Sequence, residues 1–237
     1  SLFSDNYRVF STGNSHFENG SDKYRVFDLS ENITEYNKLI SWANPDIIIH
    51  CGAITNGNYC SENPQEAFDI NGISISKLLK ATNEKVKIIY ISSDAVFPSE
   101  LHLAKEQDCT NPENVYGKSK EIGEFFLLQS DRDYSIIRTT IVGLNENKNK
   151  KGFVEWIINS SIEGEEIGLF GDVLFTPISI WDFGKELKFL IETNNINSEI
   201  LHISGSETTT KYKFGIALLK KLSLGIEKIN FSSVFMF

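Results

Sequence analysis

Apolar residues along this chain gather into short unbroken runs, separated by longer stretches in which they recur every three or four positions. The runs are Tyr24–Phe27, Asp46–His50, Val86–Ile91, Tyr134–Arg138 and Ile200–Ile203. Runs of Ile and Val without polar alternation suit strands covered on both faces, as in a parallel sheet. The stretches between them predict helices over 31–42, 64–81, 114–128 and 181–191. The second of these presents Phe68, Ile70, Ile73, Ile75, Leu78 and Leu79 as its apolar positions. Asn44-Pro45 marks the turn after the first. Arg8-Val9-Phe10 reads as one more strand near the start. Strand and helix in alternation predict an α/β fold, a doubly wound, Rossmann-like parallel sheet. Such sheets gather their ligands at the carboxyl ends of the strands.

The rhythm breaks between Leu144 and Thr176. A polar loop over 145–151 is followed by a short helix over 153–162 and the run Ile167–Gly171. This reads as a smaller lobe, residues 144–177 plus 206–237, beside a larger domain of residues 1–143 plus about 178–205. The lobe's second part holds a helix over 212–222 and an apolar strand over 229–237. A dinucleotide-binding sheet normally opens with a strand, a glycine-rich turn and a helix. Neither GxGxxG nor GxxGxxG occurs in this sequence. The chain therefore reads as starting near the end of that first helix, and as short at its C-terminus.

Composition narrows the function classes. A formal net charge of −9 without basic clusters argues against a nucleic-acid partner and against an anionic membrane surface. No apolar run is long enough to span a bilayer, and the first residues do not form a signal peptide. The three cysteines, Cys51, Cys60 and Cys109, contain no CxxC pair, so neither a structural metal site nor a disulfide framework is indicated. Reduced thiols in a cytoplasmic protein are the simple reading.

The chemistry centres on Tyr116-Gly117-Lys118-Ser119-Lys120, where Tyr-x-x-x-Lys opens a helix. Residues four apart share a helix face. A lysine ammonium there favours the phenolate and lowers the tyrosine pKa, which makes the phenol a usable acid or base. Taken alone the motif is weak. Ser92-Ser93-Asp94 at the end of the third long run adds context, because a serine hydroxyl at that strand end can donate to a carbonyl oxygen as charge develops on it.

The ordered series carries a resemblance. Pro45–Ala53, Asn71-Gly72, Ile91–Phe97, Asn111-Pro112, Val115–Lys120 and Arg138–Gly143 together resemble the extended short-chain dehydrogenase/reductase superfamily, most closely the dTDP-4-dehydrorhamnose reductase group of nucleotide-sugar reductases. The resemblance covers roughly residues 24 to 205. It implies reduction of a nucleotide-linked 4-keto-6-deoxy sugar, with NADP or NAD as cofactor. By that resemblance Tyr116 protonates the keto oxygen, Lys120 holds the nicotinamide ribose and Ser93 orients the carbonyl. Asp28 and Leu29 touch the adenine; His50, Cys51, Gly52 and Ala53 line the cofactor, as does Ser92. Asn71 supports the site, and Thr140, Ile141 and Val142 lie beside the nicotinamide. The larger domain becomes the dinucleotide-binding one and the smaller lobe the substrate-binding one. The partners implied are a nucleotide sugar and a second copy of the chain.

The sequence also departs from that pattern. Ala95 stands where the reductases carry a substrate-holding tyrosine, and where the 4,6-dehydratases carry an acid, which argues against dehydration. Cys109 is placed like an acid/base residue of the related epimerase/reductases but reads as inert, and His202 reads as a core residue. An epimerase/reductase and a non-catalytic regulatory subunit of the same fold remain as alternatives. The small polar run Ser11–Ser15 at the end of the second strand tolerates a 2′-phosphate, which favours NADPH over NADH.

Overall fold

The computed structural model describes residues 2–3, 6–16, 22–145 and 152–233. In chain order these form β1 (Ser11–Gly13), β2 (Tyr24–Val26), α1 (Ile33–Ala43), β3 (Ile47–His50), α2 (Gly57–Glu62) and α3 (Pro64–Phe68). A π-helical turn (Asp69–Ile73) then leads into α4 (Ser74–Ala81), β4 (Lys87–Ser93), a 3-10 turn (Asp94–Val96), α5 (Val115–Leu128), β5 (Tyr134–Thr139) and β6 (Ile141–Val142). The remainder is α6 (Phe153–Glu163), β7 (Ile167–Phe170), β8 (Leu174–Phe175), β9 (Ile178–Ser179), α7 (Ile180–Glu192), β10 (Glu199–His202), β11 (Thr209–Thr210), α8 (Lys211–Lys221) and β12 (Ile229–Ser232). Among the described residues no helix is long and apolar enough to cross a membrane.

The chain divides into two compact units: Ser1–Arg138 with Lys185–His202, and Thr139–Gly184 with Ile203–Phe237. The first unit holds a four-stranded sheet in the order β10-β5-β4-β3. β10 runs parallel to β5, and β3 parallel to β4. With helices in every crossover, this is the α/β, Rossmann-like arrangement the sequence predicts. Its core packs Tyr36, Ile75, Leu78, Ile88, Tyr90, Leu127, Tyr134 and Ile136 between sheet and helices. The second unit has a cluster of its own, built from Ile157, Ile167, Leu169, Leu219 and Ile229, under the parallel pair β7 and β12.

Local chemistry explains the element ends. Asn32 caps α1 by accepting from the Thr34 and Glu35 amides. Asn44 closes the helix in the left-handed region, at φ 42°, and Pro45 stops it from resuming. Arg132 serves the far end of α4, donating to the carbonyls of Leu79 and Thr82, where a cation also meets the helix dipole.

Two sequence expectations change. The strand near the start is Ser11–Gly13, not Arg8–Phe10: its ladder begins where a partner is available, Ser11 opposite Tyr24, while the Phe10 ring packs edge-on against Trp42 at 4.8 Å. The single helix predicted over 64–81 is instead α3, the π-turn and α4. The widened turn takes side-chain donors, because the Ser74 hydroxyl donates to the Ile70 carbonyl (2.7 Å) and Tyr90 to the Asn71 carbonyl (2.7 Å). Helix α2 forms in a stretch for which the sequence predicted no element. The expected loop over 146–151 and the last residues of the expected strand over 229–237, from 234 onward, lie outside the described residues.

Gly72 explains why the π-turn can approach α5. A Cβ there would stand 2.7 Å from the Ser119 carbonyl and 2.8 Å from Ile122, whereas a Cβ at Gly57 would meet nothing within 4 Å. Gly72→Ala is therefore expected to cost about 1–3 kcal/mol, and Gly57→Ala to be neutral or stabilising by up to about 1 kcal/mol. Urea unfolding of both variants checks this; equal losses would contradict it.

Candidate active site

The site forms at the carboxyl ends of β3 and β4, where the start of α5 is pressed against them. Strand β4 ends at Ser93, whose hydroxyl accepts from the Ala95 amide (3.2 Å) and donates to Asp94 (3.1 Å). Asn114 caps α5 by accepting from the Gly117 amide at 2.8 Å. Gly117 is glycine for a steric reason: a Cβ would collide with the carbonyl oxygen of Ala95. That close approach brings the Tyr116 phenol near enough to the Ser93 hydroxyl for the serine to lower its pKa.

Asn71 fixes the arrangement from behind. It is fully buried. Its carbonyl oxygen accepts from the Ile54 amide (2.7 Å), and its amide nitrogen donates to the Ile54 carbonyl and the Ser119 hydroxyl, both at 2.9 Å. Ser119 in turn donates to the Tyr116 carbonyl at 2.7 Å. One side chain thus ties the loop after β3, the π-turn and the first turn of α5. Tyr90 adds a second tie: its hydroxyl reaches both the Asn71 and Lys120 carbonyls, and its ring lies 4.0 Å from the Lys120 ammonium.

The electrostatics follow from burial. Lys120 is 1% exposed, and desolvation brings its pKa down to about 7, against the pull of Glu124 and Cys51. Burial pushes the Tyr116 phenol up to about 12; the Ser93 hydroxyl offsets part of this, while Asp94 and Cys60 add to it. The expected lowering of Tyr116 by Lys120 therefore does not prevail over burial; the ammonium lies over the Tyr90 ring. The phenol stays protonated at neutral pH. His50 is held neutral, with a pKa of about 3, by burial first and by Lys120 second. Ser74 donates its proton to Ile70, so at 3.0 Å His50 Nε2 is the donor to Ser74 Oγ. His50 Nδ1 is then a buried acceptor without a partner.

The other sequence-predicted residues are placed as follows. Cys51 and Gly52 are exposed, and Gly52 lets Leu29 close in, since a Cβ would stand 2.7 Å from Leu29 Cδ1. Ala53 is half-buried and Asp28 exposed, the latter accepting from the Ser30 amide at 2.8 Å. Ser92 turns its hydroxyl to Glu124 at 2.6 Å. Thr140, Ile141 and Val142 belong to the second unit, where β6 pairs with β9 and the Thr140 carbonyl accepts from Ile178. Three participants were missed: Tyr90, Glu124 and Arg138. Glu124 continues the Tyr116–Lys120 face by one more turn, and Arg138 is a charge inside an apolar strand; both signals were present in the sequence.

An exposed Cys51-Gly52 edge beside a buried ammonium suits a cofactor carrying sugar hydroxyls. Among the described residues, Lys120 Nζ has no acceptor within hydrogen-bond distance. The residues present therefore fit a nicotinamide dinucleotide. Against known sequences, the profile of the RmlD substrate binding domain matches residues 14–232.

The chain belongs to that family.

Among its relatives, the spore coat polysaccharide biosynthesis protein SpsK of Bacillus subtilis is 28% identical over 182 residues, covering 76% of this chain and 62% of that protein. A dTDP-4-dehydrorhamnose reductase of Sinorhizobium fredii is 29% identical over 186 residues (73% and 62%). Subunit beta of methionine adenosyltransferase 2 from Bos taurus is 25% identical over 240 residues (92% and 68%). The chain thus spans about three fifths of the first two relatives. Among solved structures, a dTDP-4-dehydrorhamnose reductase from Bacillus anthracis in complex with NADP superposes with a TM-score of 0.79 at 25% identity, covering 90% of this chain and 75% of that one. A hypothetical reductase of the same name from Sulfolobus tokodaii gives 0.83 at 27%, covering 98% and 79%. The two solved structures share the fold.

His50 generates a pH prediction. Its folded pKa of about 3 lies below the ordinary 6.5, so between these values the unfolded chain binds more protons. Stability on this account is full above pH 6.5 and falls as pH drops toward 3, by up to about 1.4 kcal/mol per pH unit. His50→Gln keeps a donor for Ser74 and should flatten the fall. Melting temperatures measured from pH 7 to 4 check this; parallel slopes for the two proteins would contradict it.

Proposed function

We propose that this chain carries the dinucleotide-binding and catalytic part of an NAD(P)H-dependent reductase acting on a nucleotide-linked 4-keto-6-deoxy sugar of the dTDP-4-dehydrorhamnose type. The observation that carries the reading is Ser93 at the end of β4 beside Tyr116 at the start of α5, with Lys120 one turn further along that helix, within a chain whose relatives bear reductase names. Unit one holds the cofactor, with Leu29, Cys51, Gly52 and Ala53 along it and the Asp28 carboxylate near its adenosine end. By the resemblance, Thr140, Ile141 and Val142 lie beside the nicotinamide, and the smaller unit takes the sugar nucleotide. NADPH is favoured, because Ser11–Ser15 offers small polar groups where a carboxylate would repel a 2′-phosphate, and because the Bacillus anthracis reductase is a complex with NADP. A cytoplasmic setting suits the three free cysteines.

When bound, the nicotinamide supplies the hydride. The rest is the work of this chain's residues. Ser93 donates to the carbonyl oxygen and places it against the phenol. Tyr116, kept protonated by its surroundings, gives its proton to that oxygen as negative charge appears there. Lys120 holds the ribose hydroxyls and stabilises the phenolate left behind. A raised tyrosine pKa suits this direction of reaction, since a reductase needs a loaded acid.

A second reading, a non-catalytic subunit of the same fold, draws on the likeness to the adenosyltransferase beta subunit. Turnover by the complete protein separates the two. With NADPH and dTDP-4-dehydrorhamnose, Tyr116→Phe is expected to lose at least about 100-fold in kcat with NADPH affinity unchanged, as read by fluorescence titration. A variant that keeps wild-type turnover would overturn the assignment of Tyr116.

A further inference from the structure

Beneath the reacting face lies a buried ion pair that the reduction itself does not use. Glu124 follows Lys120 by one turn of α5 and Tyr116 by two. Its carboxylate accepts from Arg138 Nη2 at 2.7 Å, from Arg138 Nε at 3.1 and 3.3 Å, and from the Ser92 hydroxyl at 2.6 Å. The side chains of Arg138 and Glu124 are only 4% and 2% exposed. Arg138 also donates to the Glu106 carbonyl, so the pair bridges α5 to β4, β5 and the loop before α5. A pair this deep is a poor device for stability alone, because desolvation offsets most of its attraction.

The groups around the Lys120 ammonium show what the pair does there. From β3 and the loop after it come His50 and Cys51, from β4 Tyr90 and from α5 Glu124; Tyr116 stands one turn earlier on α5, and Arg138 of β5 is paired with Glu124. His50 is neutral, local desolvation of the sulfur raises the Cys51 thiol although the residue as a whole is exposed, and burial raises the Tyr90 and Tyr116 phenols, so these remain uncharged near neutral pH. Glu124 is the anion among them, and its pull on Lys120 opposes the desolvation. The charge of Arg138 is turned onto the Glu124 carboxylate. Tyr90 adds its ring face below the ammonium at 4.0 Å, a contact that strengthens when desolvated.

We propose that Glu124, fixed by Arg138 and Ser92, is a positioning residue that keeps the Lys120 ammonium cationic and seated over the Tyr90 ring, ready for the ribose of the cofactor. The proposal rests on the reductase reading for its purpose but not for its measurement. Two requirements meet at Lys120: a dry site for hydride transfer and a persistent positive charge. An exposed carboxylate would be screened and would let water in. A carboxylate buried one turn away, with its own charge satisfied by Arg138, supplies the field without entering the reacting space. It also acts on the nitrogen without capping it, which leaves the ammonium hydrogens for a ligand.

The test follows Lys120 directly. In the complete protein with 13Cε-labelled lysine, the Lys120 resonance is assigned by its loss in Lys120→Arg, and its titration midpoint is measured without substrate. Glu124→Gln should lower that midpoint by about one pH unit or more, and Glu124→Asp should return it toward the wild-type value. Glu124→Gln leaves Arg138 buried without its counter-charge, so the double variant Glu124→Gln/Arg138→Met, which removes both charges, is measured beside it and should shift the midpoint downward too, by less because the Arg138 charge is gone as well. In the reductase assay the alkaline limb of kcat/KM should move to lower pH by a matching amount. A midpoint that stays within a few tenths of the wild type in either folded variant would overturn the proposal. A shifted midpoint in a protein with no reductase turnover would instead support the positioning role and overturn the function proposed above.

Discussion

Helix α5 can approach β4 and the π-turn closely enough to bear chemistry only because glycine stands at each point of contact. Gly117 meets the Ala95 carbonyl, Gly123 meets the Tyr90 hydroxyl, and Gly72 meets the Ser119 carbonyl. Any side chain at these positions would lift the helix and draw Tyr116 away from Ser93. Close seating brings its own requirement, because backbone carbonyls and amides trapped in the seam need partners. Asn71, Ser119 and Tyr90 supply them, so the contacts that satisfy the backbone are also those that hold the reacting residues. Packing and site geometry are the same set of interactions here.

The electrostatics follow from that seating. Burying a lysine, a histidine and two tyrosines together favours the neutral form of each, which keeps Tyr116 a proton donor and His50 uncharged. Lys120 alone must carry a charge in the proposed chemistry. The Glu124–Arg138 pair and the Tyr90 ring lie where such a charge needs support. The Cys51-Gly52 edge stays open to solvent beside this dry interior, so a ligand can reach the ammonium without the interior flooding.

Much of this was legible in the residues. The unbroken apolar runs marked the strands of the sheet, because residues covered on both faces leave a strong signal. Asn44-Pro45 marked the end of the first helix. Tyr116 and Lys120 were found through helix periodicity, and Ser93 through its place at a strand end. The π-turn at Asp69–Ile73 left no such signal, since one extra residue in a turn does not disturb apolar spacing enough to show. The Arg8–Phe10 strand was misplaced because ladder pairing, and not side-chain character, sets where so short a strand begins. The phenol's direction of shift was misjudged for a related reason: Tyr-x-x-x-Lys gives a spacing, but whether charge attraction or desolvation wins depends on burial contributed by β3, β4 and the loops. Glu124 and Arg138 were readable as a helix-face neighbour and a charged residue in an apolar strand, yet only their pairing across the fold gives them meaning.

The central claim is that the ammonium of Lys120 and the phenol of Tyr116 face the ribose of a nicotinamide cofactor bound along Cys51 and Gly52. A crystal structure of the complete protein with NADPH tests it most directly. The account predicts ribose hydroxyls within hydrogen-bond distance of Lys120 Nζ and Tyr116 Oη, with the nicotinamide beside Ser93. A cofactor whose ribose touches neither residue, or which lies away from the carboxyl ends of β3 and β4, would contradict it.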